Sequence, residues 1–213
     1  MKKVTIIMKP YSFLYNNSEY DFYGLNEAVN LINKHIKIVI LEEQLFIKIF
    51  EIKKDIKKMS AFIQDKINNI FPQNGEILYD YEKNNSDNLL AIYSVKGKKK
   101  IEKLSMNAKE LEVVPIQFVI KDEFLKIFKN KKLTCSVIFR VEDSFYYIYI
   151  KNGLLYENYI CGDLNGILQR VPEEGGYDVY IDSNIAYENT HKDKIKFIEI
   201  NMEGLIYEKL FEK

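Results

Sequence analysis

At 213 residues the chain is long enough to bury a sizeable core, as one large domain or two lobes. Apolar residues make up 47% and charged residues 29%, a globular composition rather than a disordered one. Acidic and basic residues balance at 31 each, so no net field draws the chain toward nucleic acid or an anionic membrane. Only Arg140 and Arg170 supply the guanidinium that bidentate phosphate and base readers favour, which speaks against a sequence-reading role. Cys135 and Cys161 are too few for a disulfide framework or a four-ligand zinc site and read as buried free thiols. The apolar stretch at residues 4–8 is too short for a signal peptide, and no run approaches the ~18 apolar residues of a membrane span. These features predict a cytoplasmic protein.

Residues 4–8, 13–16 and 20–23 read as three short strands separated by turn residues. Asn26 can cap a helix with Ala28, Val29 and Ile32 on its apolar face, ending at His35. An apolar-rich strand over 36–41 follows, then an alternating strand over 45–52 with Leu45, Ile47 and Ile49 opposite Phe46, Lys48 and Phe50. Asp55 is the expected cap of an amphipathic helix whose stripe is Ile56, Met59, Ile63, Ile67 and Ile70, stopped by Pro72, Asn74 and Gly75. Strands over 76–81 and 89–95 flank a polar turn at 84–87. Lys98 to Lys103 reads as a solvated, charged face opening a helix that runs to about Glu110. A strand is expected over 113–119, then a helix with Phe124, Leu125 and Phe128.

Segments 134–141, 145–150 and 154–160 form a three-stranded meander, with Asn152-Gly153 as a type I′ hairpin turn. Asp163 caps a short helix with Leu164, Ile167 and Leu168. Strands over 177–181 and 195–200 are separated by a polar segment, and Asn201 caps a last helix through Met202, Leu205, Ile206 and Leu210. Each half therefore opens with three strands, a helix and a strand. That is the ribonuclease H-like unit, and two copies with an insertion in the first give a mixed α/β, actin-like architecture. The expected lobes are 1–44 with 111–131, an inserted subdomain 45–110, and 132–213.

Nucleotide-binding members of that architecture place an Asp-x-Gly hairpin in each half, the Asp working through the metal and the Gly allowing close backbone approach. The first turn here reads Met8-Lys9-Pro10-Tyr11-Ser12 and the second Phe139-Arg140-Val141-Glu142-Asp143-Ser144, without the Gly in either. A nuclease of the same fold needs several converging carboxylates. Asp178 and Asp182, which flank a strand, read as surface carboxylates. Gly162 to Gly166 lacks the spacing and the Lys of a phosphate loop, and Gly175-Gly176 after Pro172 reads as a loop rather than a phosphate cradle. His35, at a helix end, and His191, in a polar loop, have no nucleophile motif near them. Phe145, Tyr146, Tyr147 and Tyr149 read as a Tyr-rich sheet rather than a base-stacking platform. No catalytic, cofactor-binding or metal residue is assigned.

Two stretches, Ile38 to Ile52 ahead of the helix and Cys135 to Ile160 with its Asn152-Gly153 turn, resemble the cytoplasmic actin-like domain of the PilM and GspL families. Those families build the assembly platforms of type IV pili and type II secretion systems. PilM members carry an Asp-x-Gly hairpin where this chain has Phe139 and Val141, so the resemblance leans toward GspL, whose domain is a docking scaffold. It implies a non-catalytic adaptor, with no cofactor, at the inner face of the cell membrane. The implied partners are a PilN-like inner-membrane protein and the assembly ATPase. Membrane attachment would come through partners or a helix after Lys213. The alternative is a divergent ribonuclease H-like or actin-like enzyme binding nucleotide or metal.

Overall fold

The structure is a computed structural model that describes residues 4–23, 35–52, 58–73, 75–172, 176–187 and 196–210, without the side chains of 207–210. The expected helix after Asn26, the cap Asp55, Ile56, Gly175 and His191 lie outside the described residues. The chain divides into two compact units, Met1–Ile116 and Gln117–Lys213.

The first unit opens with β1 (Val4–Met8), β2 (Ser12–Tyr15) and β3 (Ser18–Asp21), an antiparallel meander. β4 (His35–Ile40) then joins the other side of β1 in parallel, Val4 opposite Ile36, and β8 (Glu110–Pro115) joins β4 in parallel. The order β3-β2-β1-β4-β8 puts β1 and β4 inside the sheet. A strand covered on both faces is apolar-rich rather than alternating, and β4 buries Ile36, Ile38, Val39 and Ile40 with Lys37 between the first two.

Between β4 and β8 the chain builds a separate antiparallel sheet in the order β5-β7-β6. Its strands are β5 (Phe46–Glu51), β6 (Ile77–Asn84) and β7 (Leu89–Lys96). Helix α1 (Met59–Ile70) packs on one face, closing a core of Ile52, Ile63, Phe71, Leu90 and Ile92. Phe71 ends α1 in extended conformation, as the residue before Pro72 must. Asn84 Oδ1 accepts the amides of Ser86 and Asp87, the side-chain turn foreseen at 84–87.

Helix α2 (Lys98–Leu104) is shorter than the sequence predicts. Ser105 caps its own end by donating Oγ to the Ile101 carbonyl, and β8 begins at Glu110. The strand expected at 113–119 also stops early, at Pro115, and Ile116 opens helix α3 (Ile116–Ile127). The run Val113-Val114-Pro115-Ile116 suits either element by hydrophobicity. Proline decides it, because its fixed φ and missing N–H end a ladder and suit the entry to a helix.

The second unit repeats the first. β9 (Cys135–Val141), β10 (Ser144–Lys151) and β11 (Leu154–Cys161) are an antiparallel meander. β12 (Asp178–Asp182) joins β9 in parallel and β13 (Phe197–Ile200) joins β12 in parallel. The order β11-β10-β9-β12-β13 matches the first sheet strand for strand. Helix α4 (Leu164–Leu168) covers one face with Ile167 and Leu168 against Ile138, Tyr147, Val179 and Ile181. On the other face Phe124 of α3 meets Tyr180 edge-on at 5.4 Å, and Phe139 stacks on Tyr146 at 4.8 Å. Helix α5 (Glu203–Leu210) ends the described chain.

Candidate functional site

In the first unit the position a nucleotide hairpin would occupy is the β1–β2 turn. Its geometry suits a different task. The Lys9 amide donates to the Ser12 carbonyl at 2.8 Å, and Pro10 has no amide to give. Ser12 Oγ donates to Glu19 Oε1 at 2.6 Å, with Lys9 Nζ 3.8 Å from the same oxygen. The Pro10 carbonyl accepts a hydrogen bond from Lys100 Nζ, whose ammonium also lies 5.1 Å from the Phe22 ring centroid. Nearby amides are spoken for as well: Gly97 and Lys98 both donate to the Glu76 carbonyl, at 3.0 and 3.1 Å. A phosphate cradle offers amides to an anion. This turn offers a carbonyl to a cation of its own chain.

Glu43 belongs to the same neighbourhood. Burial raises its carboxyl above the ordinary range, and the charges of Lys100 and Lys96 pull it back down. The lysine run is therefore only partly the solvated face expected. Lys99 pairs with Glu76 at 2.8 Å on the surface, while Lys100 is half-buried and Ile101 and Leu104 are buried. Gly97, at φ +113°, permits the approach of Met8, whose Cε stands 2.9 Å from where a Cβ would be.

The matching turn in the second unit closes on itself too. Glu142, not glycine, takes the left-handed position at φ 52°. Arg140 Nε donates to the Glu142 carbonyl at 2.8 Å, its guanidinium is 3.6 Å from Asp143 Oδ1, and it lies 5.3 Å from the Phe145 ring centroid. The Arg140 side chain is engaged within its own turn.

The remaining candidates are dispersed. Among the described residues no group of three or more His, Cys, Asp or Glu is placed to hold a metal. Asp178 is exposed at the start of β12, as expected, but Asp182 is not a surface carboxylate: it is 4% exposed. Its Oδ1 accepts the amides of Asn184 and Met202, each at 3.3 Å, which joins the end of β12 to the start of α5. His35 begins β4 rather than ending a helix, and its Nδ1 contacts Glu110 Oε2 across the β4–β8 pair. Tyr146 and Tyr147 are fully buried, and Tyr147 shares a 3.1 Å hydrogen bond with Ser136, so the aromatic cluster is core. The Gly166 amide donates to Asp163 Oδ1 at 2.8 Å, making the expected helix cap rather than a phosphate loop. That bond, followed by one from the Cys161 thiol, lowers the Asp163 carboxyl below its usual range.

The cysteines differ from each other. Cys135 is buried, and its thiol is pushed up to about 12, first by burial and then by Asp178. Cys161 is only half-buried, contrary to expectation, and its Sγ donates to Asp163 Oδ2 at 3.1 Å. A thiol reagent applied to the native protein should therefore modify Cys161 and spare Cys135 until denaturant is added. Modification of both thiols at equal rates in the native state would contradict this placement.

Among the described residues, sequence reasoning missed buried polar groups that include Gln117 and Lys121 on α3 and Asn158 on β11. Gln117 Nε2 donates to Asn158 Oδ1 at 3.3 Å; Lys121 Nζ is 3.5 Å from Asp122 Oδ1 and 4.9 Å from the Phe118 ring centroid. The four-residue spacing of Gln117 and Lys121 would have placed them on one helix face, but only once Ile116 was recognised as a helix start.

Two ribonuclease H-like sheets in tandem, with a small sheet inserted in the first, define an actin-like fold. Two solved structures agree. The cytoplasmic domain of EpsL, an inner membrane component of the type II secretion system of Vibrio cholerae, superposes with a TM-score of 0.56 at 10% identity, over 99% of this chain and 95% of that one. A Bacteroides thetaiotaomicron protein with an actin-like ATPase fold and unknown function matches with a TM-score of 0.50 at 9% identity, over 86% and 82% of the two chains. A PilM-PilN type IV pilus biogenesis complex scores 0.49 at 8% identity, over 76% of this chain and 62% of that one. No protein-family model matches the sequence, and no curated protein matches it by sequence.

Proposed function

We propose that this protein is a non-catalytic adaptor of a type II secretion or type IV pilus assembly platform. It would dock a PilN-like inner-membrane protein and the assembly ATPase on the cytoplasmic side. The observation that carries the reading is the β1–β2 turn, where Lys100 engages the Pro10 carbonyl and the turn amide of Lys9 is bonded internally. An actin-like fold with its hairpin chemistry turned inward in this way is suited to presenting surfaces. The near end-to-end match to the EpsL domain supports the same reading. Among the described residues no helix is long and apolar enough to cross a membrane.

Two measurements test the proposal together. Calorimetric titration against the inner-membrane partner and the ATPase encoded beside this chain should show binding at tens of micromolar protein. Thermal melts with magnesium and ATP should superimpose on the unliganded curve, whereas a native-state ligand at 100 times its Kd adds about 2.7 kcal/mol. A reproducible rise in melting temperature with ATP, or no binding to either partner, would overturn the adaptor reading.

A further inference from the structure

β5 is an edge strand of the inserted sheet, and its described residues pair with β7 from Phe46 opposite Ser94 to Glu51 opposite Leu89. An open edge is a template for another strand, and proteins usually blunt it with length, charge or cover. Here the pattern of side chains along the edge is selective. Phe46, Lys48 and Phe50 alternate onto the face that α1 covers, with Ile47 and Ile49 on the other.

The α1 side of this edge has an aromatic floor. Phe46 meets Phe71 edge-on at 5.2 Å, and Phe50 meets Phe62 edge-on at 6.5 Å. Two ammoniums lie over that floor: Lys48 Nζ is 5.3 Å from the Phe46 centroid, and Lys66 Nζ is 5.8 and 5.2 Å from those of Phe50 and Phe62. Phe46 nevertheless stays 44% exposed. A strand added to β5 would send alternate side chains to each face. Those on the α1 side would meet Lys48 and Lys66, and those between them would lie beside Ile47 and Ile49.

We propose that β5 is a docking edge for an extended peptide of a protein partner, with acidic residues at alternate positions facing Lys48 and Lys66 and apolar residues between them. This rests on the adaptor reading and gives it an attachment point. Charge selects this occupant over a second copy of the chain. The antiparallel register that would set Phe46 against Phe50 of another copy brings the two Lys48 side chains directly opposite each other, and like charges so placed repel. Main-chain bonding would supply affinity, and the alternating side chains would supply specificity.

The test uses the whole chain and a short fluorescent peptide alternating valine with glutamate, with a valine–lysine peptide as control. Anisotropy should show saturable binding of the acidic peptide only, and hydrogen exchange should show new protection along β5. Lys48 is exposed, so Lys48→Glu should fold normally, weaken the acidic peptide by about tenfold or more, and gain the lysine peptide. Equal binding of both peptides, protection elsewhere with β5 unchanged, or β5-mediated dimers in sedimentation would each overturn the proposal. Secretion-platform partners that bind while β5 stays unprotected would overturn this docking edge and leave the adaptor reading standing. A peptide that docks on β5 when no platform partner binds would do the reverse.

Discussion

Gly153→Val should cost about 3–4 kcal/mol or more, or abolish soluble expression, because two independent penalties fall on one residue. Gly153 closes the β10–β11 hairpin at φ +79°, after Asn152 at φ 50°, the pair of left-handed residues that a type I′ turn requires. A β-branched side chain there is a backbone outlier. In addition, a Cβ at Gly153 would stand 2.1 Å from the Lys131 carbonyl oxygen, which is main chain and cannot swing aside. The Gly153 amide donates to the Leu133 carbonyl at 2.9 Å, and the Asn152 amide to Thr134 Oγ1 at 3.1 Å, so the turn is held against the segment entering β9. Chemical denaturation should show a lower midpoint with an unchanged slope. Asn152→Gly, which keeps the left-handed backbone without strain, should cost little by comparison. A Gly153→Val protein as stable as the parent would mean that the hairpin is not seated on residues 131–134.

The parts legible in the sequence were those fixed by local signals. The Asn152-Gly153 turn, the Asp163 cap and the two strand meanders each rest on a few neighbouring residues whose backbone preferences agree. The duplicated strand order was legible for the same reason, and with it the actin-like fold. Elements whose hydrophobic run admits two periods were not: Val113 to Ile120 is apolar apart from Gln117, and only the effect of Pro115 on both neighbours divides it into strand and helix. The site was harder still. Lys100 is 90 residues from the Pro10 carbonyl it serves, and nothing in Lys98 to Lys103 distinguishes this half-buried lysine from its neighbours. Asp182 reads as one of two carboxylates flanking a strand. Its partner is the amide of Met202, which comes after β13 in the chain.

Asp182→Ala should therefore lower stability by about 2–3 kcal/mol, an effect larger than a surface carboxylate would give. The carboxylate is 4% exposed and accepts the amides of Asn184 and Met202. Removing it leaves those donors without that acceptor, and the fully buried Met202 has little access to water. Both bonds are long at 3.3 Å, which keeps the expectation below that for two ideal charge-assisted bonds. The position adds a favourable field, since α5 begins at Glu203 and the aligned peptide dipoles make the helix start electropositive. Asp182→Asn separates the two contributions. It retains an acceptor oxygen but not the charge, and should lose only about 1 kcal/mol. Neighbouring bonds define where the damage appears: the Ser183 amide donates to the Ile200 carbonyl and the Glu203 amide to Asn201 Oδ1. Hydrogen exchange at Ser183, Asn184, Met202 and Glu203 should accelerate in Asp182→Ala, while the β9–β10 ladder remains protected at sub-denaturing conditions. Unchanged exchange at Met202 would show that the carboxylate does not hold the α5 start, and its burial would then need another cause.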